Sequence, residues 1–91
     1  MIYSINFTDA ADEAIAGYKK SNPIAYKKTL QLLKEIAQHP RTGTGHPEPL
    51  TRGNNIRYSR RISKKDRLIY DIYDDTITVF ILSAESHYGD K

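Results

Sequence analysis

Apolar residues change their spacing twice along the 91-residue chain. From Ile2 to Phe7 they alternate, with Ile5 and Phe7 on one side and Ile2 on the other, which predicts a short strand. Ala11, Ala14, Ile15 and Tyr18 then follow a helical period, entered through Thr8 or Asp9 as N-cap and closed at Ser21-Asn22. A second helix starts with Asn22 as N-cap and Pro23 in its first turn, where a missing N–H costs nothing. Its stripe is Tyr26, Leu30, Leu33 and Ala37, widened by Leu32 and Ile36. Pro40 stops it, and the Gly/Pro-rich stretch from Thr42 to Pro49 reads as a loop. Beyond Leu50 the alternation returns, predicting strands near 55–62, 66–73 and 76–83 with room for a further short strand near 48–51.

The pattern also fixes a register. If Ile56, Tyr58 and Ile62 share a face with Leu68, Tyr70 and Ile72, the connection around Lys64-Lys65 must contain an odd number of residues, such as three. A two-residue turn at Asp74-Asp75 would pair Ile72 with Ile77, Tyr70 with Val79 and Leu68 with Ile81. The opposite face then carries Arg57, Arg61, Arg67, Asp71, Thr76, Thr78, Phe80 and Leu82, a basic and partly apolar surface suited to an RNA strand. Arg60 falls on the core side, at the sheet margin or paired with a carboxylate. The architecture expected is α+β: one domain, residues 1–91, with two helices packed on a twisted antiparallel sheet in the order β-α-α-β-β-β.

Composition narrows the chemistry. Without cysteine, thiolate catalysis and disulfides are excluded, and the three histidines show no zinc-ligand spacing. The start lacks a basic segment ahead of an apolar run, and the longest apolar run, Ile77 to Leu82, is too short for a bilayer span, so a soluble cytoplasmic protein is expected. The net charge of +3 is mild, so its placement matters more than its size. Lys19, Lys20, Lys27, Lys28 and Lys34 read as a solvated helix surface.

Three features can carry chemistry. Glu48 stands between Pro47 and Pro49, which restrict its backbone. Arg61 and Arg67 share a sheet face, and His87 lies near the end. A carboxylate, arginines and a histidine are the groups needed to move protons around a phosphate as its negative charge grows. By position alone, Glu48 could equally be an exposed loop carboxylate, the arginines could be paired with Asp71, and Tyr88 could cover the sheet edge. Tyr58 and Tyr70 read as core, and His39 and His46 as helix-end and loop residues.

The order Pro47-Glu48-Pro49-Leu50, Ser59-Arg60-Arg61-Ile62, Arg67-Leu68-Ile69-Tyr70 and His87-Tyr88 resembles the YoeB branch of the RelE/ParE toxin superfamily over most of the chain. That resemblance implies a RelE-like fold and a ribosome-dependent messenger-RNA endonuclease of a type II toxin–antitoxin system. It implies Glu48 as general base, Arg67 for transition-state charge and His87 as general acid. Arg61 and Tyr88 would place the substrate, and Arg57 would add to the basic face. Thr51 stands where relatives commonly have a lysine, leaving Arg52 as the nearest base. No metal or cofactor is implied, because the ribose supplies the nucleophile. The implied partners are messenger RNA, the ribosome and a YefM/Phd-like antitoxin, with operator DNA reached only through the toxin–antitoxin complex, no membrane, and a homodimer as a further assembly. A non-catalytic module that binds antitoxin or promoter would share the fold without needing Glu48 or His87.

Overall fold

The computed structural model describes residues 2–50 and 56–84. Strand β1 (Ser4–Phe7) leads into helices α1 (Asp9–Ser21) and α2 (Pro23–Gln38), followed by β2 (Glu48–Pro49), β3 (Arg57–Arg61), β4 (Arg67–Tyr73) and β5 (Thr78–Ser83). Thr8 caps α1 by accepting from the Ala11 amide, and Asn22 caps α2 by accepting from Ala25. These bonds satisfy amides that have no partner within their own helices. The sheet order is β1-β5-β4-β3-β2. Strands β2 to β5 are antiparallel as expected, whereas β1 joins β5 in parallel, so the sheet is mixed. The α1–α2 hairpin returns the chain to the sheet, and β1 is left at the edge opposite β2.

The core is built from Ala11, Ala25, Leu32, Ile36, Tyr58, Leu68, Tyr70, Ile72, Val79, Ile81 and Ala84. Complete burial of a side chain such as Leu32 or Ile81 stabilises by roughly 1.5–3 kcal/mol. Tyr58 stacks on Tyr70 with ring centroids 6.3 Å apart, as the core assignment of both tyrosines requires. The buried stripe of α2 is Ala25, Thr29, Leu32 and Ile36, rotated from the expected one, and Leu30 is 45% exposed. Thr29 can lie inside because its hydroxyl donates to the Ala25 carbonyl at 2.8 Å, which removes the cost of burying it.

Pairing of β3 with β4 follows the expected parity, with Tyr58 opposite Tyr70 and Arg60 opposite Leu68. The Ile62 amide donates to the Asp66 carbonyl at 2.9 Å, one step beyond the Arg61–Arg67 pair, so the turn proper is Ser63 to Lys65, the three-residue connection expected. Within it Ser63 Oγ accepts from the Asp66 amide and donates to its carboxylate, each at 3.1 Å. The β4–β5 connection differs from the expected two-residue turn: Tyr73 pairs with Thr78 and Ile72 with Val79. A tight two-residue turn needs left-handed backbone at both central positions, which Asp74-Asp75 does not favour. The loop instead spans Asp74 to Ile77 and needs one left-handed residue, Ile77 at φ +50°. Because the register moved by two, Thr78 to Ile81 kept their expected faces, while Thr76 and Ile77 leave the sheet. A bulge then opposes Ile69 to Ser83 and Tyr70 to Ile81. The extra residue, Leu82, reverses the alternation, so Ala84 enters the core while Ser83 lies opposite Ile69. Thr8 pins the bulge, its hydroxyl donating to the Leu82 carbonyl at 2.8 Å and its amide to that of Ile81 at 3.0 Å.

Candidate functional site

Sheet register assembles the face away from the helices. One row crosses four strands: Glu48 pairs with Ser59, Ser59 with Ile69, and Ile69 with Ser83. Beside it run Arg57, Asp71 and Phe80 on one side and Arg61 with Arg67 on the other. Ser59, Ile69 and Asp71 are buried, forming a floor, while Glu48, Arg61, Tyr73 and Phe80 are exposed around it. Strand spacing and rise put the Arg61 Cα about 8 Å and the Arg67 Cα about 12 Å from that of Glu48, within the combined reach of these side chains and a phosphate.

The arginines on this face are not equivalent. Arg57 is held by Asp71 through two bonds, Nε to Oδ1 at 2.7 Å and Nη2 to Oδ2 at 3.0 Å. The Tyr73 hydroxyl also donates to Asp71 Oδ2, at 3.3 Å, and burial pushes the Tyr73 phenol above its usual range, with the Asp71 charge adding to it. Asp71 is therefore taken by Arg57 and does not neutralise Arg61 or Arg67. Those two stand directly opposite each other. The bonds from the Ile62 amide to Asp66 and from the Ile72 amide to Ile56 make this a non-hydrogen-bonded pair, in which cross-strand side chains approach most closely. Neither has a carboxylate partner among the described residues. Like charges in this arrangement repel, a repulsion that an anion between them would relieve.

Glu48 lies on the exposed edge strand β2 at the end of a loop wound around Arg60. Arg60 is completely buried on the core side and pairs with Glu35, Nη1 to Oε1 at 3.2 Å. This matches the carboxylate pairing expected of it, although its other bonds, to the carbonyls of the loop, had no signature in the sequence. His46, also in this loop, has left-handed backbone at φ +53° and is exposed. His87, expected as the general acid, and Tyr88 and Arg52, expected to contact the substrate, lie outside the described residues. No cluster of three metal-binding side chains occurs among the described residues.

A clasp invisible to the pattern ties the loop end of the sheet together. Asp74 accepts from Arg41 through both oxygens, at 3.2 and 3.0 Å, and from the Tyr3 hydroxyl at 2.6 Å. The Arg41 bonds, then the Tyr3 bond, hold the Asp74 carboxyl below its ordinary range, and the bond to Asp74 raises the Tyr3 phenol. Arg41 also lies 5.9 Å from the Tyr58 ring centroid.

Two helices packed on one face of a mixed sheet, with Arg61 and Arg67 on the other, define a small α+β fold, and comparison with known proteins specifies the family. The family model for YoeB-like toxin of bacterial type II toxin-antitoxin system matches residues 7–88. Toxin YoeB of Mycobacterium bovis is 34% identical over 85 residues, covering 93% of this chain and 98% of its own. Toxin YoeB of Synechocystis is 33% identical over 84 residues, covering 92% and 95%. Among solved structures, the YoeB dimer from Staphylococcus aureus superposes with a TM-score of 0.82 at 31% identity, covering 97% of this chain and 100% of that one. The chain belongs to the YoeB-like toxins of bacterial type II toxin–antitoxin systems.

Proposed function

We propose that this toxin is an endoribonuclease that cuts messenger RNA on the translating ribosome, without a metal ion, and so arrests translation in the cytoplasm. The observation that carries the reading is the directly opposed Arg61–Arg67 pair, without a carboxylate partner among the described residues, on the same face as Glu48. Such a pair is costly to folding and useful to a phosphate. Glu48 takes the proton of a ribose 2′-hydroxyl, and the 2′-oxygen bonds to the adjacent phosphorus. Negative charge grows on the phosphoryl oxygens, where the guanidinium of Arg67 stabilises it and Arg61 holds the phosphate in line. The P–O5′ bond breaks, and His87 gives its proton to the departing oxygen. The products are a 2′,3′-cyclic phosphate, or a 3′-phosphate after hydrolysis, and a 5′-hydroxyl. Tyr88 and Arg52 join Arg61 in placing the message, and Arg57, held by Asp71, shapes the rim.

The partner proposed is a YefM/Phd-like antitoxin that lays an acidic segment over the basic face, with operator DNA bound by the joint complex. A YoeB–YefM complex is known from S. aureus at 32% identity to this chain, and the dimer from that organism supports self-association. Purified toxin incubated with translating ribosomes should give message fragments with 5′-hydroxyl ends, and Glu48→Ala and His87→Ala should each suppress them. Cleavage undiminished in both variants would refute these roles. Antitoxin binding with no cleavage by the wild type would instead establish a binding module.

A further inference from the structure

The buried guanidinium of Arg60 spends its donors on one segment. Nη2 donates to the His39 carbonyl and, at 2.7 Å, to that of Thr42; Nη1 donates to the Thr44 carbonyl at 3.3 Å and to Glu35 Oε1 at 3.2 Å. Nε donates to the Tyr70 hydroxyl at 3.0 Å, which itself donates to the Pro40 carbonyl at 2.7 Å. Glu35 closes the ring from α2, accepting from the Thr44 amide at 2.8 Å and from the Thr44 hydroxyl. Four carbonyls between His39 and Thr44 are thus held directly by Arg60 or through Tyr70. The segment has no slack: a Cβ on Gly43, whose φ is +125°, would lie 2.6 Å from Glu35 Oε1 and 2.9 Å from Arg60 Nη1. Its far end is fixed by the Arg61 amide donating to the Gly45 carbonyl at 2.7 Å. Three residues later comes Glu48, opposite Ser59, the residue preceding Arg60.

We infer that Arg60, locked by Glu35, is a positioning residue for the proposed general base: it holds the 39–45 loop so that Glu48 is delivered to the open face. The inference rests on the reading of Glu48 given above. Arg60 touches no substrate, because its guanidinium is sealed on the opposite side of the sheet. A rigid fork of five donors can serve acceptors on several sides at once, whereas an ammonium offers only three donors from a single nitrogen. The consequence is geometric: when the ring opens, Glu48 remains in the molecule but loses its fixed distance from the 2′-hydroxyl. Because Arg61 and Arg67 are untouched, substrate affinity survives.

The test uses Glu35→Ala, since the Glu35 side chain is 30% exposed and its loss leaves the hydrophobic core intact. In single-turnover cleavage of message on translating ribosomes, Glu35→Ala should lower the rate about 10- to 100-fold, with half-saturation within about twofold of wild type. In the Glu48→Ala background the same substitution should cause no further loss, because its effect passes through Glu48. Gly43→Ala, which pries at the same ring, should reproduce the pattern. A wild-type rate for Glu35→Ala beside an impaired Glu48→Ala overturns the positioning role alone. So does a loss that adds in full to that of Glu48→Ala, the mark of general unfolding. A wild-type rate for Glu48→Ala removes the base reading and this inference with it.

Discussion

Arg60 and Arg61 are neighbours on β3 with the same guanidinium, yet strand alternation sends one to the core and the other to the open face. Arg60 is fully buried with every donor nitrogen bonded and a carboxylate beside it. Arg61 is exposed and faces a second arginine. The difference teaches what each is for. A buried charge persists only where its surroundings replace water completely, so the Arg60 site is a finished structure. A surface pair of like charges is an unfinished one, which in the proposed function an anion from outside would complete.

The largest effect expected is on the finished side. Arg60→Ala removes the cation but leaves loop carbonyls and the Tyr70 hydroxyl without their donors in a buried setting, costing about 3–5 kcal/mol. Urea unfolding should show this as a lower midpoint with little change in slope, whereas Arg61→Ala should leave the midpoint close to wild type. Equal loss from both would erase the distinction. On the unfinished side, Arg67→Ala should reduce cleavage about 10²- to 10³-fold while its melting temperature is no lower than that of the wild type. Comparable activity in Arg67→Ala would remove its role in stabilising charge.

The contrast was half legible in the sequence. Period-2 alternation through Tyr58, Tyr70 and Ile72 put Arg60 inside and Arg61 and Arg67 outside, and on β5 the faces of Thr78 to Ile81 survived a wrong turn length because the register error was two residues. The caps at Thr8 and Asn22 were equally readable, since the accepting side chain and the donating amide lie three residues apart. What surrounds Arg60 was not readable, because its partners come from α2, the 39–44 loop and β4, and nothing local links them. The bulge at Leu82 has no signature either; it is held by Thr8, more than seventy residues away. The α2 stripe was misjudged because Thr29 counts as polar until its hydroxyl is seen bonded to Ala25.

Acidification separates the two regions by a smaller margin. Bonds from the Thr44 hydroxyl and then the Thr44 amide, aided by the charge of Arg60, hold the Glu35 carboxyl below its ordinary value of 4.5. A carboxyl depressed in the folded state binds protons more readily when unfolded. Its stabilisation is therefore complete above the ordinary carboxylate range and is lost as pH falls through the lower folded value. Urea midpoints measured from about pH 6 down to 3 should decline for the wild type and decline less steeply for Glu35→Gln. Parallel slopes would mean that the ring around Arg60 contributes nothing to acid sensitivity.

The smallest effect has the opposite sign, and for that reason it tests the open face most directly. If Arg61 and Arg67 repel across a non-hydrogen-bonded pair with no carboxylate between them among the described residues, removing one charge should relieve folding of a burden. Arg61→Gln keeps a similar length and polarity and should raise stability by about 0.2–1 kcal/mol. The gain should shrink as salt is added, since both groups are solvent-exposed enough for ions to screen them. Inorganic phosphate should stabilise the wild type more than Arg61→Gln, because a bound anion relieves the same repulsion. A stability unchanged by substitution, salt and phosphate alike would mean that the two guanidinium groups diverge and that no anion site exists between them. A gain in stability accompanied by slower cleavage would show that the toxin gives up folding energy at this point to keep a place for the phosphate.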